Sequence, residues 1–288
     1  MADAAGKGFR FSFGAEMEFY LFEIDEHGRD TTIPHDMAGY MDIAPDDKGE
    51  HIRREICLML EQMGIQPECS HHESGPGQNE IDFRYSDPVT AADNAVTFRT
   101  VVDTAAARNG LWADFGPKPL ADRPGNGLHI NFSVTAADGR DVLPAAIAGI
   151  LARISDMTLF LNPKEESYRR FGSCKAPRYI SWSAENRSQL IRVPAAEGEY
   201  RRAELRSPDA LCNPYLAFAL LIRAGMEGIA REAQLPPAAD LNLFTVPEEV
   251  RRRYALLPET LAAAKAAAAG SDFIKENLPE SVFKYYVN

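Results

Sequence analysis

The ten residues Phe13–Phe22, FGAEMEFYLF, constrain this chain more than any other stretch. Apolar Met17, Phe19 and Leu21 alternate with Glu16 and Glu18. On an extended strand, residues i and i+2 point to one face, so two carboxylates would stand side by side above an apolar backing. Like charges at that spacing repel, and burying them is costly unless a cation lies between them. Two arrangements fit: an edge strand with a solvated acidic face, or a strand presenting ligands to a divalent metal. Which one holds depends on what else the chain brings to the same surface.

The chain has 288 residues, 45% of them hydrophobic, enough to bury the core of one large domain. The N-terminus lacks the basic-then-apolar pattern of a signal peptide. No run of about 18 apolar residues stands out, so no membrane span is expected. Cys57, Cys69, Cys174 and Cys212 show no CxxC spacing, which argues against a structural zinc or disulfide framework and suits a reducing cytoplasm. A net charge of −11 disfavours a nucleic-acid surface. The arginines nonetheless cluster between Arg169 and Arg206, as a pocket for a small anion would require.

Residues 1–8 read as a disordered tail and 9–288 as a single domain. Strands are expected at 10–24, 66–73, 78–84, 111–119, 128–134, 178–182, 189–193 and 200–206. Helices are expected at 47–63, from Asp87-Pro88 to about Asn109, at 142–161, and from Asn213-Pro214 to about Glu232. The stretch LAAAKAAAAG reads as a surface helix or spacer. Paired strands with helices between some of them predict an α+β fold, a curved, mostly antiparallel sheet flanked by helices.

The turn Ser74-Gly75-Pro76-Gly77 should fold Glu73 back onto Glu80. His129 opens another strand, and Glu204 sits between Arg202 and Arg206 with alternating spacing. Hard divalent cations take oxygen ligands, and Mn²⁺ tolerates one imidazole. Five glutamates and a histidine suffice for two metals, and two metals among arginines are a common apparatus of phosphoryl transfer. Taken singly, Arg-x-Glu-x-Arg also suits a solvated ladder, and a lone histidine suits an ordinary core position.

The motifs FGAEMEF, HHESGPGQNEI, PKP, GNGLHINFS, NPKEESYRRF, ENRSQLIRVP and RAELRSPDALCNPYLAFALL occur in this order from about residue 9 to about residue 235. Together they resemble the catalytic domain of glutamine synthetases. The resemblance implies two Mg²⁺ or Mn²⁺ ions, with Glu18, Glu73 and Glu80 on one and Glu16, His129 and Glu204 on the other. It implies Arg170 and Arg206 for the glutamate carboxylates, with Gly125 in the loop beside them. Arg187, Arg192 and Arg202 fall on the phosphate-binding arginines, Tyr85 and Ser133 on the adenine pocket, and His71 on a contact to the nucleotide. The implied reaction is ATP-dependent: a glutamate-like γ-carboxylate becomes an acyl phosphate, and an amine displaces the phosphate.

Departures from the family pattern bear on the amine. The metal strand begins near residue 10, so the family's N-terminal β-grasp domain and its ammonium-site aspartate are expected to be missing. The flap glutamate expected before Ala176-Pro177 is Lys175, which would repel ammonium or touch the acyl phosphate. The glutamate-holding loop reads Pro124-Gly125-Asn126-Gly127, and the family's second histidine is Asn131. These changes leave three expectations open: a ligase for a different amine or a different acid, a chain that makes only the acyl phosphate or needs a second polypeptide to close the site, or a nucleotide- and metal-binding regulatory relative. Small-molecule amino acid and amine substrates are expected, and a smaller homo-oligomer or a monomer.

Overall fold

Sixteen residues, Phe9–Ile24, form β1, the spine of the computed structural model, which describes residues 1–184 and 186–288. Eight further strands complete one open sheet: β2 Asp30–Pro34, β3 Pro67–His72, β4 Gln78–Ser86, β5 Leu111–Asp114, β6 Leu128–Ala136, β7 Trp182–Ser183, β8 Ile191–Arg192 and β9 Ala203–Leu205. The order is β3-β4-β1-β6-β9-β8-β7, with β2 and β5 also pairing with β1. Every pair is antiparallel except β7 with β8. The α+β architecture follows, with helices α1 Ala2–Gly6, α2 Glu50–Gln62, α3 Pro88–Arg108, α4 Leu143–Leu161 and α5 Pro214–Ala230, and shorter C-terminal helices at Glu248–Arg251, Leu261–Gly270, Asp272–Asn277 and Glu280–Val287.

The odd-numbered side chains of β1 face the helices. Phe13 stacks on Phe218 of α5 with centroids 4.5 Å apart, and Phe19 meets Phe98 of α3 edge-on at 6.1 Å. Burying each such side chain contributes about 1.5–3 kcal/mol. Asp87 and Asn213 start α3 and α5 by accepting two backbone N–H groups each ahead of a proline. Helices α4 and α5 cross so closely that a Cβ on Gly149 would lie 2.2 Å from the Ala224 carbonyl oxygen. The even-numbered side chains of β1 are left on the opposite face, where Glu16 and Glu18 stand.

Several expectations change. Ala2–Gly6 is a short helix with Ala4 buried and Asp3 paired to Arg223, where a disordered tail was expected. The Ala-rich Leu261–Gly270 packs against α4 with Ala264 and Ala268 buried, because small side chains permit close helix contact. Helix α4 is long and apolar enough to cross a membrane by length and composition, yet two-thirds of it is buried within the fold, against α5 and Leu261–Gly270. The strands expected at 178–182, 189–193 and 200–206 shorten to two or three residues each.

Candidate active site

Strand register turns the sheet face into a grid. One row reads Cys69, Asp82, Glu16, His129, and a second reads His71, Glu80, Glu18. Beyond β6 a third reads Asn131, Glu204, Arg192. The six metal donors expected from the sequence thus reach one cavity of about 280 Å³. Arg170, Lys175, Arg187, Arg192, Arg206 and Gly125 line it with them.

The Gly-Pro-Gly reversal does bring Glu73 to Glu80. His71 Nε2 lies 3.4 Å from Glu73 Oε1 and 3.6 Å from Glu80 Oε1. His129 Nδ1 is 3.1 Å from Glu16 Oε2 and 3.7 Å from Glu204 Oε1, and its Nε2 is 4.0 Å from Glu18 Oε1. Ligand atoms of Glu16, Glu80 and His129 all fall within 4.8 Å of one another, as do those of His71, Glu73 and Glu80. These groupings overlap the two expected triads without matching them. Glu18 accepts the Gly127 amide at 2.6 Å, and Glu204 accepts Arg192 Nε at 2.5 Å and Arg206 Nη1.

Electrostatics separate the carboxylates. Burial alone would raise Glu16, but His129, Asn131 and the Arg206 charge outweigh it and hold it at about 2. Burial would likewise raise Glu73, but His71, Ser74 and Lys175 outweigh it and hold it at about 2. Glu80 is pushed well above the usual range by burial and by the charges of Glu18, Asp82, Glu16 and Glu73. Burial and four acidic neighbours disfavour the charged form of Glu80, a penalty that a divalent cation would relieve. Oxygen donors with an imidazole fit Mg²⁺ or Mn²⁺. A third acidic set, Asp36, Asp47 and His72, does not fit a metal. Arg53 and backbone amides already saturate its oxygens, and the His72 imidazole bonds Asp36 and the Glu73 carbonyl.

Arg170 is buried and donates to the carbonyls of Ser207 and Pro208 at 3.1–3.4 Å. Gly125 lies against it: a Cβ there would sit 2.1 Å from the Pro117 oxygen and 2.5 Å from Arg170 Cγ. Among the described residues, the buried Nε of Arg206 has no hydrogen-bond partner. Asn131 donates to Glu16 at 2.8 Å and accepts Arg202 Nε at 3.0 Å, linking the metal row to the arginines.

A second cavity of about 300 Å³ holds Tyr85, Ser133 and Arg202, and both cavities share Glu16 and Asp82 at their junction. His71, expected to contact the nucleotide, lies in the first cavity between Glu73 and Glu80. Sequence reasoning passed over Asp82. Burial and the charges of Glu16, Glu204, Glu68 and Glu18 raise it to about 8. Its signal was present, since Glu80-Ile81-Asp82 alternates just as Glu16-Met17-Glu18 does. Tyr40 was also missed. It lies under Lys175 Nζ, 4.4 Å from the ring centroid, and lines the cavity with Arg187.

Residues 1–288 match the family model described as glutamine synthetase, catalytic domain. Glutamine synthetase of Clostridium saccharobutylicum is 43% identical over 302 residues, covering 99% of this chain and 68% of that protein. Glutamine synthetase of Methanosarcina mazei is 44% identical over 301 residues, covering 99% and 67%. Among solved structures, GmaS in complex with ADP superposes with a TM-score of 0.87 at 29% identity, covering 99% of this chain and 70% of that one. Plasmodium falciparum glutamine synthetase shares the fold, with a TM-score of 0.84 at 21% identity over 99% and 73%. With the acidic grid, the buried arginines and these matches in agreement, the chain belongs to the glutamine synthetase catalytic-domain family of C–N bond-forming ligases.

Proposed function

We propose that the cavity joins a glutamate-like γ-carboxylate to an amine at the expense of ATP. The observation that carries this reading is the meeting of six metal-type donors with buried Arg170 and Arg206 in one cavity, next to a second cavity bearing Tyr85 and Ser133. The ADP named with GmaS supports a nucleotide as co-substrate. Glu18, Glu73 and Glu80 would hold one divalent ion, and Glu16, His129 and Glu204 another. When bound, these ions neutralise charge on phosphoryl oxygens.

Arg170 and Arg206 would grip the carboxylates of the amino acid. Tyr85 and Ser133 would seat the base, and the triphosphate would run past Glu16 toward Arg187 and Arg192, with Arg202 at the second cavity. A γ-carboxylate oxygen attacks the γ-phosphorus, and ADP leaves with the electrons of the broken P–O bond. The amine lone pair then attacks the acyl carbon, phosphate leaves, and the nitrogen loses a proton. Carboxylates are poor electrophiles, and phosphorylation supplies the leaving group. The arginines stabilise charge that develops as the phosphoryl group moves. An amine other than ammonia suits Lys175 better, and a homo-oligomer or a second subunit would close the amine side. The four free thiols accord with a cytoplasmic setting.

The test is ADP release by the full chain with ATP and Mn²⁺, with glutamate alone and with a panel of amines. Amine-dependent release supports the ligase. Release with glutamate alone supports the partial reaction. ATP binding without turnover would replace the ligase with a regulatory relative.

A further inference from the structure

The amine side of the cavity carries positive charge. Lys175 Nζ lies 4.4 Å from the Tyr40 ring centroid and 3.4 Å from Ser74 Oγ, and Arg187 lines the same cavity. Among the described residues, the contacts of Lys175 are thus a hydroxyl and a ring face. The field of Lys175 also reaches Glu73, but that carboxylate belongs to the metal set.

Lys175 is not a loose surface side chain that happens to fold inward. Cys174 and Lys175 both hold positive φ, +45° and +70°, a backbone shape that L side chains adopt only under constraint. The turn is closed by Gly172 N–H donating to the Ala176 carbonyl at 2.9 Å and Ala176 N–H donating to the Ser173 carbonyl at 2.9 Å. It therefore delivers an ammonium group into the cavity wall beside Ser74, within reach of the metal donors.

Resting on the ligase reading, we propose that the amine accepted here carries its own anionic group. The substrate class is an amino acid or another carboxylate-bearing amine. Ammonium or an alkylammonium approaches with a full positive charge and meets Lys175 and Arg187 as like charges. An amino acid approaches with no net charge and offers a carboxylate to those same cations, in a charge-assisted contact. Held there, its nitrogen faces the acyl carbon. The nitrogen lone pair forms the C–N bond, and the C–O bond to phosphate breaks. Phosphate takes that electron pair, and nitrogen gives up two protons to phosphate or water, one from its ammonium before attack and one after the C–N bond forms. The product is a γ-glutamyl amide with a free carboxylate.

The discriminating pair is glycine against glycinamide, which differ by one charge at nearly equal size. The full chain is assayed with ATP, Mn²⁺, glutamate and each acceptor, alongside methylamine and ammonium. Amine-dependent ADP release is read together with the mass of the product. Glycine is expected to exceed glycinamide, methylamine and ammonium at least tenfold in kcat/KM, mainly through KM. Lys175→Glu should bring that ratio to one or invert it, and Lys175→Arg should keep it. Equal use of glycine and glycinamide, or a ratio unmoved by Lys175→Glu, overturns the proposal while leaving the ligase reading intact. No ADP release under any condition removes both.

Discussion

The carboxylate half of the cavity hangs from paired strands, whereas the amine half hangs from loops. Glu16, Glu18, Glu80, Asp82 and His129 are fixed by backbone ladders, each row set by the register of β1 against β4 and β6. Tyr40 and Lys175 stand on a loop and a strained turn, joined by a cation over a ring. A grid of strands can hold many like charges because the ladder bonds do not depend on them. A loop can change its chemistry by one residue without moving the grid. Within one domain, this separates the part that would activate a carboxylate from the part that would choose what attacks it.

The largest expected effect breaks the grid at Glu204, which is fully buried between Arg192 and Arg206. Glu204→Gln leaves two guanidiniums without their counter-charge. Breaking a buried pair of this kind costs about 3–5 kcal/mol. Melting temperature should fall sharply, and ADP release should drop by about 10²–10³-fold, as when a preorganised charge-stabilising group is lost. A melting point within 1–2 °C of the parent, roughly what a change well under 1 kcal/mol gives in a chain of this size, would show that the arginines find other partners.

Glu80→Gln sharpens the same contrast through its sign. Four acidic neighbours crowd Glu80. In EDTA the amide should therefore leave stability unchanged or raise it. With Mn²⁺ the parent should gain about 2.7 kcal/mol at a hundredfold excess over Kd, and the variant should lose most of that gain. Thermal melts with and without metal read both arms. Destabilisation in EDTA would mean that the carboxylate is held by its hydrogen bonds rather than strained by its charge.

How far each half could be read from the amino acids follows from the same division. The Glu16–Glu18 pair was legible because strand periodicity is local, and Glu73 found Glu80 because a Gly-Pro-Gly turn is local too. Asp82 obeyed the same alternation and was overlooked, although the pattern was there to see. Its place in a row with Cys69, Glu16 and His129 depends on pairing between residues as far apart as Glu16 and His129, 113 positions along the chain, and periodicity is silent about that. Strands β7 to β9, two or three residues long, carry no period, so their limits were misjudged. The flap shows a harder limit: nothing marks Cys174 and Lys175, neither of them glycine, as left-handed. The identity of Lys175 was plain, but its contact with Tyr40 joins residues far apart in the chain.

Gly125→Ala probes the seam between the halves. The new methyl would overlap the Pro117 carbonyl and the Arg170 stem. Overpacking of this sort costs about 1–3 kcal/mol, and Arg170 must shift. KM for glutamate should rise more than kcat falls. An unchanged KM would separate Arg170 from the substrate carboxylate.

Asp36 tests how firmly the Tyr40 loop is tied down. Its carboxylate accepts the amides of Ala38, Lys48 and Gly77 and bonds His72. Burial alone would raise it, but His72 and the amides prevail and hold it at about 2. A lowered carboxyl contributes stability that is complete above its ordinary value of 3.8 and is lost as pH falls through about 2. The melting point of the parent should therefore fall more steeply below pH ~4 than that of Asp36→Asn. Parallel curves would place that acid sensitivity elsewhere.

Lys175→Ala should be the mildest change to the fold and the clearest measure of the contrast. The side chain is exposed, and its contact with the Tyr40 ring is of a kind worth about 0.5–1 kcal/mol at exposed sites. Removing it also releases the cost of holding a long side chain in place, and the residue's left-handed backbone remains strained for alanine. Stability should therefore move by less than about 1 kcal/mol. The Mn²⁺-induced rise in melting point should persist, because the metal donors other than Glu73 stand on strands, and Glu73 keeps its bonds to Ser74 and its place beside His71. If the variant instead lost that rise, the lysine would be part of the metal site, and the two halves of the cavity would have to be treated as one.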